Sequence, residues 1–387
     1  MALKNNTWKL NQWYDQSVAG NVEYSGIVRW FTWGAGNYGG SGLGVDGPST
    51  RYSSPVQLPG DNQWSHISSG GYGRGFLGLR TDGTFWGWGR NHKGQLGTNT
   101  VTTPGVSSPI QIGTDDTLWS SEFSLIQHGL AIKTDGTLWS WGDNYMSGCL
   151  GQNSRVNLSS PTQIPGTTWS KVAAANLSSV ATKTDGTLWV WGDNAYGTLG
   201  LNDTTQRSSP NQIPGTTWSN CAACGADRLL FGIKTDGTLW AWGFNANNGG
   251  LGQNNKTNYS SPVQIPGTTW SEVTGGGAHV TAIKTDGTLW AWGLGTNGIL
   301  GQNEGTTQYS SPKQIPGTWS QVTAGNRNTF ATKTDGTLWG WGKNDYGQLG
   351  LNQDYTGERS SPTQVGSDIG WSDPAANAND FFAKKMI

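Results

Sequence analysis

Apolar residues along this chain come in short alternating bursts, each closed by a Gly-rich turn. In Thr238-Leu239-Trp240-Ala241-Trp242 the two Trp stand two apart, so a pleated strand sets both on one face. Lys-Thr-Asp-Gly precedes that burst, and its Asp-Gly predicts a tight hairpin turn with positive φ at those two positions. Gly243 follows where a side chain would crowd the exit. Next come a turn ending in Leu-Gly, a polar loop, and Ser-Ser-Pro, whose proline lacks a donor and is expected to open a strand or lie on an edge. Trp-Ser and a run of small residues, as in Val273-Thr274-Gly275-Gly276-Gly277, then lead to the next Lys-Thr-Asp-Gly. Small residues inside a strand are expected where backbones crowd, and the axis of a ring of sheets is such a place.

This unit recurs. Trp-Gly is found at Trp33, Trp88, Trp141, Trp191, Trp242, Trp292 and Trp341, at spacings of 49 to 55 residues. Ser-Ser-Pro (Pro55, Pro109, Pro161, Pro210, Pro262, Pro312, Pro362) and Trp-Ser (Trp64, Trp119, Trp169, Trp218, Trp270, Trp319, Trp371) give the same count. About four short strands per unit, seven times over, predict an all-β fold, a seven-bladed β-propeller of four antiparallel strands per blade. The alternative is an open superhelical stack. The last unit, however, stops after Phe381-Phe382-Ala383-Lys384-Lys385, and its missing continuation is found only at 27–34. Pairing of the two chain ends in one blade is therefore expected to close a ring. The repeats occupy 25–387, and 1–24 form an extension in which Trp8, Trp13 and Tyr14 are candidate docking residues.

Composition adds constraints. With 60 Gly, 15 Pro and only 13% charged residues, surface helices have little to build on, while 23 Trp, 11 Tyr and 9 Phe supply a large apolar payload. Formal charge is −1 and Lys and Arg are scattered singly, which argues against nucleic acid as a partner. No stretch has the apolar length of a signal peptide or a membrane span, so membrane insertion is not expected and folding in a cytoplasm is.

Taken together, the pattern "KTDGTLWAWGDNxxGQLG…SPxQI…WSxVAAG" resembles the repeat of the regulator of chromosome condensation 1 (RCC1) superfamily, and repeats this uniform are similar to those of its bacterial and phage members. The resemblance implies a seven-bladed propeller. It leaves function open, since the superfamily includes a guanine-nucleotide exchange factor for a small GTPase, ubiquitin-ligase modules and a plant UV-B photoreceptor. The chromatin-binding members' basic face and the exchange factor's inserted wedge have no counterpart in this near-neutral chain of even spacing. The photoreceptor's Gly-Trp-Arg-His-Thr motif is missing from the matching stretches, and 20 of the 23 Trp are framework copies.

Candidate chemistry is sparse. Gly34-Ala35-Gly36-Asn37-Tyr38-Gly39 fits a dinucleotide fingerprint but opens no helix. Cys221 and Cys224 have the spacing of half a zinc site, yet their register places them among small inner-strand residues, and no second pair completes four ligands. His128 and His279 share a position on the loop that leads into a blade, where hydrogen bonding to adjacent backbone is the expected role. Lys in Lys-Thr-Asp-Gly is expected to be solvated beside the turn that Asp shapes. No catalytic site, metal site or cofactor is expected.

Binding is what remains. The variable segments 152–158, 253–259 and 302–309 are rich in Asn, Gln, Thr and Tyr, which suits neutral polar partners such as glycans or protein surfaces. Arg155, Tyr259, Tyr309 and His279 are the candidate loop-face contacts. The expectation is a non-enzymatic virion component of a phage, on tail or capsid surface, that binds a neighbouring protein or a host receptor. A cellular interaction module and an exchange factor are the alternatives.

Overall fold

The computed structural model describes residues 27–45, 51–60, 63–69, 74–113, 116–225, 228–352 and 357–387. Among them, strands form seven four-stranded antiparallel sheets arranged as the blades of a propeller. In the third blade the strands follow in chain order from the axis outward: Trp169–Ala174, Ser178–Lys183, Leu188–Gly192 and Arg207–Ile213. Blades one to six occupy 64–111, 119–164, 169–213, 218–264, 270–315 and 319–364. Innermost strands touch from blade to blade all the way round, including Trp371–Ala376 against Trp64–Ser68.

That last contact closes the ring. The seventh blade takes its two inner strands, Trp371–Ala376 and Asp380–Met386, from the end of the chain and its two outer strands, Val28–Gly34 and Tyr52–Gln57, from the start. Between the halves the ladder is unbroken from Val28 opposite Met386 to Gly34 opposite Asp380. The Ile387 amide also donates to the Ile27 carbonyl at 2.9 Å. The Trp8, Trp13 and Tyr14 docking segment lies outside the described residues.

The core is divided into seven apolar clusters, one in each gap between neighbouring blades. Between the third and fourth blades, Val180, Leu188, Val190 and Ile213 meet Trp218, Leu230 and Trp242. As the alternation predicts, Trp240 and Trp242 share a face, and Trp218 packs edge-on against both at 6.3 Å. Proline sits in the outermost, edge strand of each blade, where no ladder bond is lost. Small inner-strand residues reflect crowding at the axis: a Cβ on Gly275 would stand 2.5 Å from the Cys224 Cα of the preceding blade. Gly192, after Trp191, has φ +108°, and a Cβ there would stand 2.4 Å from the Leu177 carbonyl oxygen.

One turn differs from the sequence expectation. Within Lys183-Thr184-Asp185-Gly186 only Gly186 takes positive φ (78°), and its amide donates to Lys183 O while Lys183 N–H donates to Thr187 O. This is a type I turn followed by a Gly bulge, and not a two-residue turn with both φ positive. The bulge leaves the Asp185 carboxylate free to fold back on Thr187, whose amide and hydroxyl both donate to it, at 3.0 and 2.7 Å.

Neighbouring blades are also strapped by backbone. The Asn202 amide donates to the Ser260 carbonyl at 2.7 Å, and the same bond joins Asn99, Asn153, Asn254, Asn303 and Asn352 to the first Ser of the next Ser-Ser-Pro. These six Asn all have φ between 51° and 62°, a left-handed conformation Asn tolerates better than other side chains.

Candidate functional site

The ring presents two faces and a rim. One face carries the loops between inner and second strands and the long variable loops between third and outer strands; the other carries the Thr-Asp-Gly turns.

On the variable-loop face, the 143–157 loop of the second blade is clamped from within. Buried Asn144 donates to the carbonyls of Ser154 and Val156 and accepts from the Leu150 amide. Held this way, Tyr145, Met146 and Val156 remain 71%, 68% and 67% exposed. Arg155 donates to Gln206 of the next blade at 3.0 Å, and Gln206 donates to the Met146 carbonyl at 2.8 Å, so one chain of bonds ties the loop to its neighbour. A rigid apolar patch of this kind, rimmed by polar groups, suits contact with another protein. Sequence reasoning singled out Arg155 but missed Tyr145, Met146 and Val156; Tyr-Met standing together in a mostly polar loop was the available signal.

Tyr259 and Tyr309 open the outer strands of their blades and are half-buried against apolar clusters. Their hydroxyls are engaged: Asn255 donates to Tyr259, and Tyr309 donates to Glu304 at 2.9 Å, which raises the tyrosine's pKa. His279 is not a loop-face contact. It is the first residue of the strand His279–Lys284, fully buried, with Nε2 2.8 Å from the Thr329 hydroxyl in the next blade. His128 pairs likewise with Ser179 at 2.8 Å, so the partner is a neighbouring blade's hydroxyl and not adjacent backbone. Burial depresses both imidazoles to about 4.

Cys221 and Cys224 lie on opposite sides of their strand, in different inter-blade clusters, and cannot ligate one ion together. Burial pushes Cys221 up to about 12, which leaves the thiol unreactive. Among the described residues no cluster of His, Cys, Asp and Glu could hold a metal.

At the rim the Lys-Thr-Asp-Gly lysine has a role the sequence reading did not foresee. Lys234 Nζ lies 4.9 Å from the Trp218 ring and 4.1 Å from Trp240, caged between them instead of reaching into solvent. Lys133, Lys183, Lys284 and Lys333 repeat the geometry with their own Trp pairs, and Arg80 does so in the first blade. A relay orients the outer ring: Trp240 Nε1 donates to Thr238 Oγ1 at 2.9 Å, which donates to Asp236 at 2.7 Å. The Thr238 hydroxyl and amide hold that carboxyl below its usual range. Beside the cages open pockets of about 310 Å³ between the second and third blades and about 480 Å³ between the third and fourth.

The regulator of chromosome condensation (RCC1) repeat matches at 135–182, 185–229, 236–283, 286–332 and 335–372, together more than half of the chain, and a second description of the same repeat matches at 319–348. The chain belongs to the RCC1 repeat family. No curated protein sequence matches it. Among solved structures, this RCC1 propeller is similar to Prp20p from Saccharomyces cerevisiae, at 16% identity over 93% of this chain and 92% of that one, with a TM-score of 0.81. Yeast RCC1 (Prp20) bound to Kap60 gives 17% identity, 94% and 90% coverage and a TM-score of 0.81. Human WBSCR16 gives 22%, 92% and 98%, with a TM-score of 0.77. At these identities the likeness is one of fold.

Proposed function

We propose that this RCC1 propeller is a non-enzymatic binding scaffold that holds a partner protein on its variable-loop face. The observation that carries this reading is the patch of Tyr145, Met146 and Val156, apolar, exposed and stiffened by Asn144 and the Arg155–Gln206 bonds. Clamped loops lose little freedom on docking, which favours tight association. The setting we infer is a phage virion, where the propeller would sit on tail or capsid surface and contact a neighbour or a host receptor; the uniform repeats and the Asn-, Thr- and Gly-rich, charge-poor composition support it.

The yeast Prp20p structure is described with that protein's binding to Gsp1p and histones. A second reading follows, in which the same face engages a small GTPase. Isolation of the full chain at native expression level, followed by mass spectrometry of the intact assembly, separates the two: capsid or tail proteins support the virion setting, and a stoichiometric GTPase replaces it. Under either, Y145S/M146S is expected to release the partner while leaving the melting temperature within about 2 °C, since surface substitutions change stability by only tenths of a kcal/mol. Retention of the partner by that variant would refute the loop-face assignment.

A further inference from the structure

The rim cages are not equivalent, and the difference lies three residues before each Trp-Ser. Asp116 stands there in the second blade and closes on Lys133 at 2.7 Å; Asp368 stands there in the seventh and closes on Lys385 at 2.6 Å. The first blade has Asp61 at this position in the sequence. In the third, fourth and fifth blades the same position is Gly166, Gly215 and Gly267, and in the sixth it is Pro316. There Lys183, Lys234, Lys284 and Lys333 keep their Trp cages, but their side-chain ammonium groups make no direct ion pair or hydrogen bond among the described residues. The internal anion has been replaced by space, and the two pockets at the rim open beside Lys183 and Lys234.

An ammonium held between two indoles and facing a cavity, with the exposed carboxylate of Asp185 or Asp236 acting on it only through space, has room for a counter-ion in direct contact. The larger pocket is walled by half-buried Trp240 and by Pro214 and Pro262, with Asn202, Gln212 and Ser261 at its edge. A flat indole face takes a ring; amide and hydroxyl groups at the edge take hydroxyls; the lysine takes a carboxylate. The smaller pocket repeats the set with Trp189, Pro165, Pro210, Asn153, Gln152 and Lys183.

We propose that these two rim pockets are subsites for an acidic saccharide, a sugar ring bearing a carboxylate, stacked on Trp189 or Trp240 with its carboxylate on Lys183 or Lys234. Two like subsites one blade apart suit a polymer of repeating acidic units, each link raising the effective concentration of the next. Neither pocket is lined by Tyr145, Met146 or Val156, although the smaller one shares the 143–157 loop with them, so saccharide binding is read separately from capture of the partner protein.

The test uses the full chain and four probes: glucuronate oligosaccharide, the matching uncharged glucose oligosaccharide, acetate and a polyglutamate peptide, with binding followed by calorimetry and tryptophan fluorescence. The glucuronate probe is expected to bind and the uncharged one not. K183M/K234M, which keeps the stem over the rings and removes the charge, is expected to weaken binding about tenfold or more, the loss of a charge-assisted contact. K133M, in the cage already neutralised by Asp116, is expected to leave binding unchanged. If the double variant misfolds, K234M alone is expected to remove one of two binding equivalents. Equal binding of the uncharged probe overturns the proposal, as does polyglutamate binding without the saccharide, acetate matching the oligosaccharide, or no binding at all.

Discussion

Single residues in this propeller act across blade gaps. Six of the seven Trp in Trp-Gly donate their indole N–H to a carbonyl of the preceding blade, as Trp191 does to Cys149 at 2.7 Å, whereas buried Trp242 finds no acceptor among the described residues. W191F is therefore expected to cost about 1 kcal/mol more than W242F in urea unfolding, the net worth of one hydrogen bond. Equal losses would remove that role for the indole N–H. The buried imidazoles of His128 and His279 give a second prediction. Their folded pKa of about 4 lies below the ordinary 6.5, so the unfolded chain binds protons that the folded one refuses, and the contribution of these two residues to stability is lost as pH drops from 6.5 towards 4. H128Q/H279Q is expected to flatten that slope in thermal melts between pH 4 and 7. None of these partners was legible in the sequence, because each stands 42 to 51 residues away and meets its mate only once blades are stacked.

Elements, by contrast, were largely legible. Three independent markers per unit fix the strands and their order, since a proline without a donor can only sit at an edge and small residues crowd only at the axis. The Thr-Asp-Gly turn was misjudged because a Gly bulge and a two-residue turn share the Asp-Gly signature, and the Asp–Thr–Trp relay decides between them. The caged lysine was missed for a related reason: Trp218, Lys234 and Trp240 belong to three strands, and their approach depends on register rather than spacing. At this scale the Asn straps are testable. N202G is expected to be neutral within about 0.5 kcal/mol, since glycine also takes positive φ, while N202V is expected to cost about 1–2 kcal/mol or more in chemical denaturation.

Over the whole molecule, closure of the ring depends on the seam. Removing 381–387 takes away most of the ladder partner of Val28–Gly34 together with Phe381 and Phe382, which fill the two clusters beside the seventh blade. That truncation is expected to lower the melting temperature by well over 10 °C and to expand the chain in small-angle scattering; an unchanged melt would contradict closure. Asp380, 2% exposed, accepts the Gly36 amide across the seam at 2.7 Å, and burial raises its carboxyl to about 7. Its folded pKa exceeds the ordinary 3.8, so its contribution is complete below 3.8 and is lost as pH rises to about 7. D380N, which preserves an acceptor and carries no charge, is expected to match the parent near pH 4 and to be more stable at pH 8 by a few kcal/mol.

The seam also bears on where such a chain has to begin. Residue 387 lies one hydrogen bond from residue 27 inside the seventh blade, and the second and third blades are joined by a short connector, 165–168, on the face of the Thr-Asp-Gly turns. A circular permutant that splices 387 to 27 and starts instead at 167, between the second and third blades, would thread the same seven sheets in the same order. Its clasp would vanish, and the blade now sewn from two ends would become an ordinary hairpin pair.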